Sequence, residues 1–126
     1  MQGLHLTADL HTCRCEPRWL LDAEALGQWC AEAAAAEGMR PVSKLFYTFP
    51  QTGQTPGGAV VSLLLDHETQ INVHTWPAHK AVALDLYVST LGGKSPAMAR
   101  NLMLVLADRF SPEWTEQRSL DRGGDS

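Results

Sequence analysis

The apolar residues of this chain switch between a period of two and a period near 3.6. The order of those switches constrains its fold more than any other feature. Leu4, Leu6, Ala8 and Leu10 alternate with His5, Thr7 and Asp9, the pattern of a strand with one face in a core. From Pro17 the spacing becomes helical, through Leu20, Leu21, Ala23, Leu26, Trp29, Cys30 and Ala33, with Gly38 as the stop. Four strand-like runs follow: residues 41–49, a run from Ala59 to about Leu65, a short run with Ile71 and Val73 that Pro77 ends, and Ala81–Val88. Ser95 and Pro96 then start a second helix, whose Met98, Leu102, Val105 and Leu106 form an apolar stripe ending near Phe110. The order strand, helix, four strands, helix predicts an α/β two-layer sandwich, a largely antiparallel sheet with two helices on one face.

One domain spanning residues 1–112 accounts for all of these elements. The polar stretch 113–126 is expected to be a disordered tail, because it has too little apolar surface to offset its ordering entropy. A net charge of -4 with scattered basic residues argues against a nucleic-acid surface. No run approaches the roughly 20 apolar residues of a membrane span, and the N-terminus lacks the basic start and apolar run of a signal peptide, so a cytoplasmic location is expected. Cys13, Cys15 and Cys30 read as reduced thiols, since Cys13 and Cys15 are too close along a strand for an ordinary bridge. His5, His11, Cys13 and Cys15 share a strand face, but the set is long and lacks a second Cys or His pair at finger-like separation; no metal is expected there.

Three blocks carry a resemblance: Gly3-Leu4-His5-Leu6-Thr7-Ala8-Asp9-Leu10, Phe46-Tyr47-Thr48-Phe49-Pro50, and the run from Glu68 to Pro77 that contains His74-Thr75-Trp76-Pro77. In order and spacing, over roughly residues 3–110, the chain resembles the bacterial and archaeal S-adenosylmethionine decarboxylases. The resemblance implies a self-processing decarboxylase of polyamine (spermidine) biosynthesis that works as a homodimer. In that family a serine after a glutamate attacks the preceding carbonyl, and elimination from the resulting ester leaves a pyruvoyl group that forms a Schiff base with the substrate amine.

Carried over residue by residue, the resemblance places cleavage between Glu68 and Thr69, with His74 as a proton-transfer group and Ser89 where the family has a proton-donating cysteine. Phe46, Phe49, Trp76 and Asp85 become the substrate-binding candidates; Phe46 and Phe49 are able to sandwich an adenine-like ring, but aromatics two or three apart on a strand are more often core, and only one of them need face a pocket. Three positions depart from the family pattern. Thr69 replaces serine, so processing would leave a 2-oxobutanoyl group in place of pyruvoyl, and its β-branch restricts the rotamers that reach the carbonyl. Ser89 is a far weaker acid than a thiol. Ala78 stands where the family has glutamate, which removes an acceptor for substrate. These departures keep two alternatives open: a decarboxylase of another amino acid, and an unprocessed homologue that binds a ligand or regulates an active relative.

Overall fold

The computed structural model describes residues 3–89 and 95–122. In chain order they form β1 (Gly3–Cys13), α1 (Arg18–Leu21), α2 (Ala23–Ala36), β2 (Pro41–Phe49), β3 (Gly58–Leu65), β4 (Thr69–Trp76), β5 (Ala81–Ser89), α3 (Pro96–Asp108) and β6 (Pro112–Arg122). A 3-10 turn, Pro77–His79, joins β4 to β5. The six strands make one sheet in the order β2-β3-β4-β5-β1-β6. Every neighbouring pair is antiparallel, and the helices lie on one face, as the sequence predicts.

The strand alternation decides which face that is. Leu4, Leu6, Ala8 and Leu10 of β1 join Val61, Leu63 and Leu65 of β3, Ile71 and Val73 of β4, and Val82, Leu84 and Leu86 of β5 in the core. Leu26 and Cys30 of α2 close over them, with Leu102 and Leu106 of α3 and Phe110 beyond it. The intervening positions, among them His5, Thr7, Asp9, Asn72, His74 and Asp85, point to the opposite, helix-free face.

The expected first helix is divided. Asp22 is extended at φ -112 and ψ 98, and its carboxylate accepts from the Ala25 amide, so it serves as the N-cap of α2 rather than continuing α1. The far end of α2 closes as expected on Gly38, at φ 83. Gly38 N–H donates to the Ala35 carbonyl at 2.9 Å and Met39 N–H to the Ala34 carbonyl at 3.0 Å, a double closure that needs a left-handed residue between. Ser95 caps α3 by accepting from Met98 N–H at 3.1 Å.

The expectation of a disordered tail fails over residues 113–122, and the single-domain boundary moves with it. Pro112–Arg122 is the edge strand β6, paired along almost the whole of β1 from Gly3↔Arg122 to Cys13↔Pro112. An outer strand gains its ladder from its neighbour's backbone and needs no apolar period of its own. Side chains on the helix-free face add to this. The Trp114 ring stacks on His11 at 3.9 Å, Glu116 meets His11 at 3.0 Å, and Arg118 donates to Asp9 at 3.2 Å. Residues 123–126 of the expected tail lie outside the described residues. Among the described residues, no helix is long and apolar enough to cross a membrane.

Candidate functional site

The candidate cleavage junction is the hairpin between β3 and β4. Leu65 pairs with Thr69 across it, and the two residues just before Thr69 are both left-handed, His67 at φ 59 and Glu68 at φ 54. Neither is glycine, which adopts this region at no steric cost, and glutamate is not among the types enriched there. The hairpin is fixed from outside: Asp66 N–H donates to the Arg40 carbonyl at 2.9 Å, and Arg40 N–H donates to Asp66 Oδ1 at 3.2 Å. On the far side Thr69 is fully buried. Its hydroxyl donates to the His67 carbonyl at 3.3 Å, which folds Oγ1 back over the turn, upstream along the chain.

A second group of candidates lies on the helix-free face. His74 stacks against Trp76 at 4.0 Å between ring centroids and lies 6.4 Å from Phe49 in near-parallel orientation. Tyr47 meets Phe49 edge-on at 4.7 Å. The four rings form a row across β2 and β4, and Tyr47, Phe49 and Trp76 are all exposed. Tyr47 was not singled out by the sequence reading, although its alternation with Phe49 already put both on one face.

Phe46 and Phe49 do not sandwich a common space; only Phe49 faces the open side. Phe46 pairs with Val61, a core residue, and its ring packs so closely on Gly27 of α2 that a Cβ there would fall 2.4 Å away. Three residues along a strand change the face, so Phe46 belongs to the helix layer and Phe49 to the open side. Asp85 is on the open side, opposite Asn72 and Thr7, and one of its carboxylate oxygens is engaged by His5 Nε2. His5 is thus a partner for Asp85 that the sequence reading did not assign.

Thr69 and His74 are not brought together within one chain. They are on opposite faces of β4 and five residues apart, roughly 16 Å along a strand. Ser89 is nearer the junction, because the β4–β5 register Gln70↔Tyr87 sets Thr69 beside Val88; its side chain is fully buried. The cysteines do not stand in for it. Gly3 pairs with Ser89 at one end of β1, which leaves Cys13 ten residues away at the other end, roughly 33 Å distant. Burial pushes the Cys13 thiol up to about 11, helped by the neighbouring Cys15, and burial alone pushes Cys30 up to about 12. The Cys15 thiol is also raised by burial, although Arg109 acts the other way. All three stay protonated near neutrality.

Nor do the histidines and cysteines of β1 share a face throughout. Thr12, left-handed at φ 53, interrupts the alternation and turns Cys13 into the core, while His5 and His11 face Asp85 and Glu116 on the open side.

The sequence reading also missed Thr75. Fully buried, its hydroxyl donates to the Leu20 carbonyl at 2.6 Å and accepts from the Ala59 amide at 2.8 Å. One side chain thereby ties α1 to the β3 and β4 strands that carry the aromatic row. Thr75→Val keeps the shape and leaves both backbone groups unpaired, so it should lower stability by about 1–3 kcal/mol in urea unfolding. An unchanged midpoint would mean that the hydroxyl carries no such tie.

Comparison with known proteins bears on the family and the fold. The model of a family described as S-adenosylmethionine decarboxylase matches residues 4–123, which includes β6. The S-adenosylmethionine decarboxylase proenzyme of a Hydrogenobaculum species is 32% identical over 122 residues, covering 96% of this chain and 81% of that protein. An arginine decarboxylase proenzyme of Ignicoccus hospitalis is 32% identical over 111 residues, covering 88% of this chain and 70% of that one. The crystal structure of the adenosylmethionine decarboxylase from Aquifex aeolicus superposes with a TM-score of 0.78 at 25% identity, covering 96% of this chain and 90% of that one. The match runs through both the junction hairpin and the aromatic row, and this chain belongs to the S-adenosylmethionine decarboxylase family.

Proposed function

We propose that this chain is a self-processing S-adenosylmethionine decarboxylase of polyamine synthesis, cut between Glu68 and Thr69 and active as a homodimer. The observation that carries the reading is the junction itself: a buried hydroxyl folded back over a turn directly after Glu68, at the head of the strand that ends in His74, Thr75 and Trp76. Thr69 Oγ1 attacks the Glu68 carbonyl carbon, the amide C–N bond breaks, and the hydroxyl proton passes to the freed amine, leaving an ester. Loss of the Thr69 Cα proton then breaks the Cβ–Oγ1 bond and expels the Glu68 carboxylate, leaving an enamine that takes up a proton at Cβ to become the imine. Water hydrolyses the resulting imine, and ammonia leaves.

The residues present fit the 2-oxobutanoyl group that this produces, because the Thr69 methyl is already accommodated at a fully buried position. The new carbonyl would supply the sink for the electrons released as carbon dioxide departs. Phe49, His74 and Trp76 offer a stacking surface for the substrate's ring system, and Asp85, steadied by His5, offers a carboxylate on the same face.

The homodimer rests on the separation of Thr69 from His74. A base must come within about 2.6–3.2 Å of the proton it moves. One chain holds the two roughly 16 Å apart. A two-fold pairing of the open faces with strands antiparallel brings the junction end of one sheet over the aromatic end of the other, so that His74 of the partner subunit approaches the turn and its Glu68 carbonyl, while the Thr69 side chain stays on the helix side of β4. Phe49, Trp76, Trp114 and Leu120 give that face exposed apolar area to cover.

Carbon dioxide release from carboxyl-labelled S-adenosylmethionine tests the activity. Turnover by the wild-type chain and none by Thr69→Val supports the reading. Equal release from both, or release from arginine and none from S-adenosylmethionine, contradicts it.

A further inference from the structure

We propose that the left-handed pair His67 and Glu68 is a strained device, held in place by Asp66, that drives opening of the Glu68–Thr69 bond. This rests on the self-cleavage reading above and adds residues to it whose side chains take no part in the attack.

Two successive residues at φ 59 and φ 54 pass the chain into β4, although one is histidine and the other glutamate. For side-chain-bearing L-residues this region is unfavourable, and such outliers persist only where the surroundings over-determine them. Here both ends are held. Upstream, Asp66 exchanges two hydrogen bonds with Arg40, amide to carbonyl at 2.9 Å and amide to carboxylate at 3.2 Å. Downstream, the ladder pairing of Leu65 with Thr69 and the full burial of Thr69 fix the first residue of β4. The turn cannot relax by moving either end.

The acyl shift breaks the covalent link at the strained point. Once the Glu68 carbonyl has passed from nitrogen to Thr69 Oγ1, it is joined through the side chain, and residues 67 and 68 are no longer forced left-handed by the backbone of β4. Strain present in the precursor and released on the way to the ester lowers the barrier to ester formation. The same hairpin holds the Thr69 hydroxyl on the His67 carbonyl at 3.3 Å, so the strained residues also fix the position from which the nucleophile starts.

His67 is exposed, which allows a clean test. His67→Ala and His67→Gly both lose the imidazole, but only glycine takes a left-handed φ without cost. Cleavage of purified full-length chain is followed by denaturing mass spectrometry in the wild-type and Thr69→Ser backgrounds. His67→Ala should cleave near the parent rate, and His67→Gly roughly 5- to 30-fold more slowly, the rate equivalent of one left-handed residue. Asp66→Ala should slow cleavage similarly, with rescue by Asp66→Asn, which keeps the acceptor for Arg40 N–H. Hydroxylamine, which captures an ester, should speed cutting of His67→Gly little, because the slowed step precedes the ester. Equal rates for the glycine and alanine variants, where the parent cleaves, overturn this proposal and leave the self-cleavage reading standing. No cleavage in either background overturns both.

Discussion

Neither Thr69→Val nor His74→Ala should cleave alone, yet the two expressed together should release a cut chain derived from the His74→Ala subunit. The first variant supplies an imidazole and lacks the nucleophile; the second has the nucleophile and lacks the imidazole. With random assortment, about half of the His74→Ala chains enter mixed dimers and become cleavable. The expectation follows from the five residues that separate Thr69 from His74 along β4, a distance that a partner sheet with antiparallel strands closes at the turn. Fragments distinguishable by a mass tag on each subunit show which chain was cut. If the mixture yields no fragments although the wild type cleaves, His74 does not act across subunits, and the argument for an open-face dimer loses its chemical basis.

The second large effect concerns Ser89. In the processed enzyme Ser89→Cys should raise kcat by roughly 10²-fold, the low end of what a positioned acid contributes, with little change in KM. An alcohol must be helped to give up a proton, whereas a thiol does so near its ordinary value of about 8.5. The existing thiols supply no substitute, since burial holds Cys13 near 11 and Cys30 near 12, and Cys13 is at the opposite end of β1 from the Ser89 pairing. Thr69→Ser should speed processing separately, because removing the β-methyl frees the rotamers by which Oγ1 reaches the carbonyl. Combining the two should gain more than either alone. A Ser89→Cys enzyme no faster than its parent would show that proton delivery at that position does not limit turnover.

The elements that bury an apolar face were legible in the residue order. The alternation of Leu4 to Leu10 and, on α3, Leu102 and Leu106 each specify a face that burial enforces, although Val105 of the expected stripe is exposed and Ala99 and Met103 are buried instead. β6 was not legible, because Glu113, Glu116, Gln117 and Arg118 show no apolar period; their order comes from the neighbouring backbone of β1, which no local pattern announces. The break at Asp22 was readable in principle, since aspartate three residues before Ala25 is a capping signal that the longer helical period masked.

The site divides in the same way. The junction came from the resemblance carried by the run from Glu68 to Pro77, and Tyr47 of the aromatic row was missed, whereas the partition of Phe46 and Phe49 between faces follows from strand phase. The left-handed pair at 67 and 68 could not be read from the residues: glutamate carries no signature for that conformation and histidine, although enriched there, adopts others more often, so the flanking bonds impose it.

The most direct test is the mass of the purified chain under denaturing conditions. Self-cleavage predicts two species, residues 1–68 ending in an ordinary carboxylate and residues 69–126 beginning with a ketone, with one water taken up and one ammonia lost between them. A single species at the mass of the uncut chain after prolonged incubation, with Thr69→Ser equally intact, contradicts it and leaves a family member that keeps the fold without making its own carbonyl.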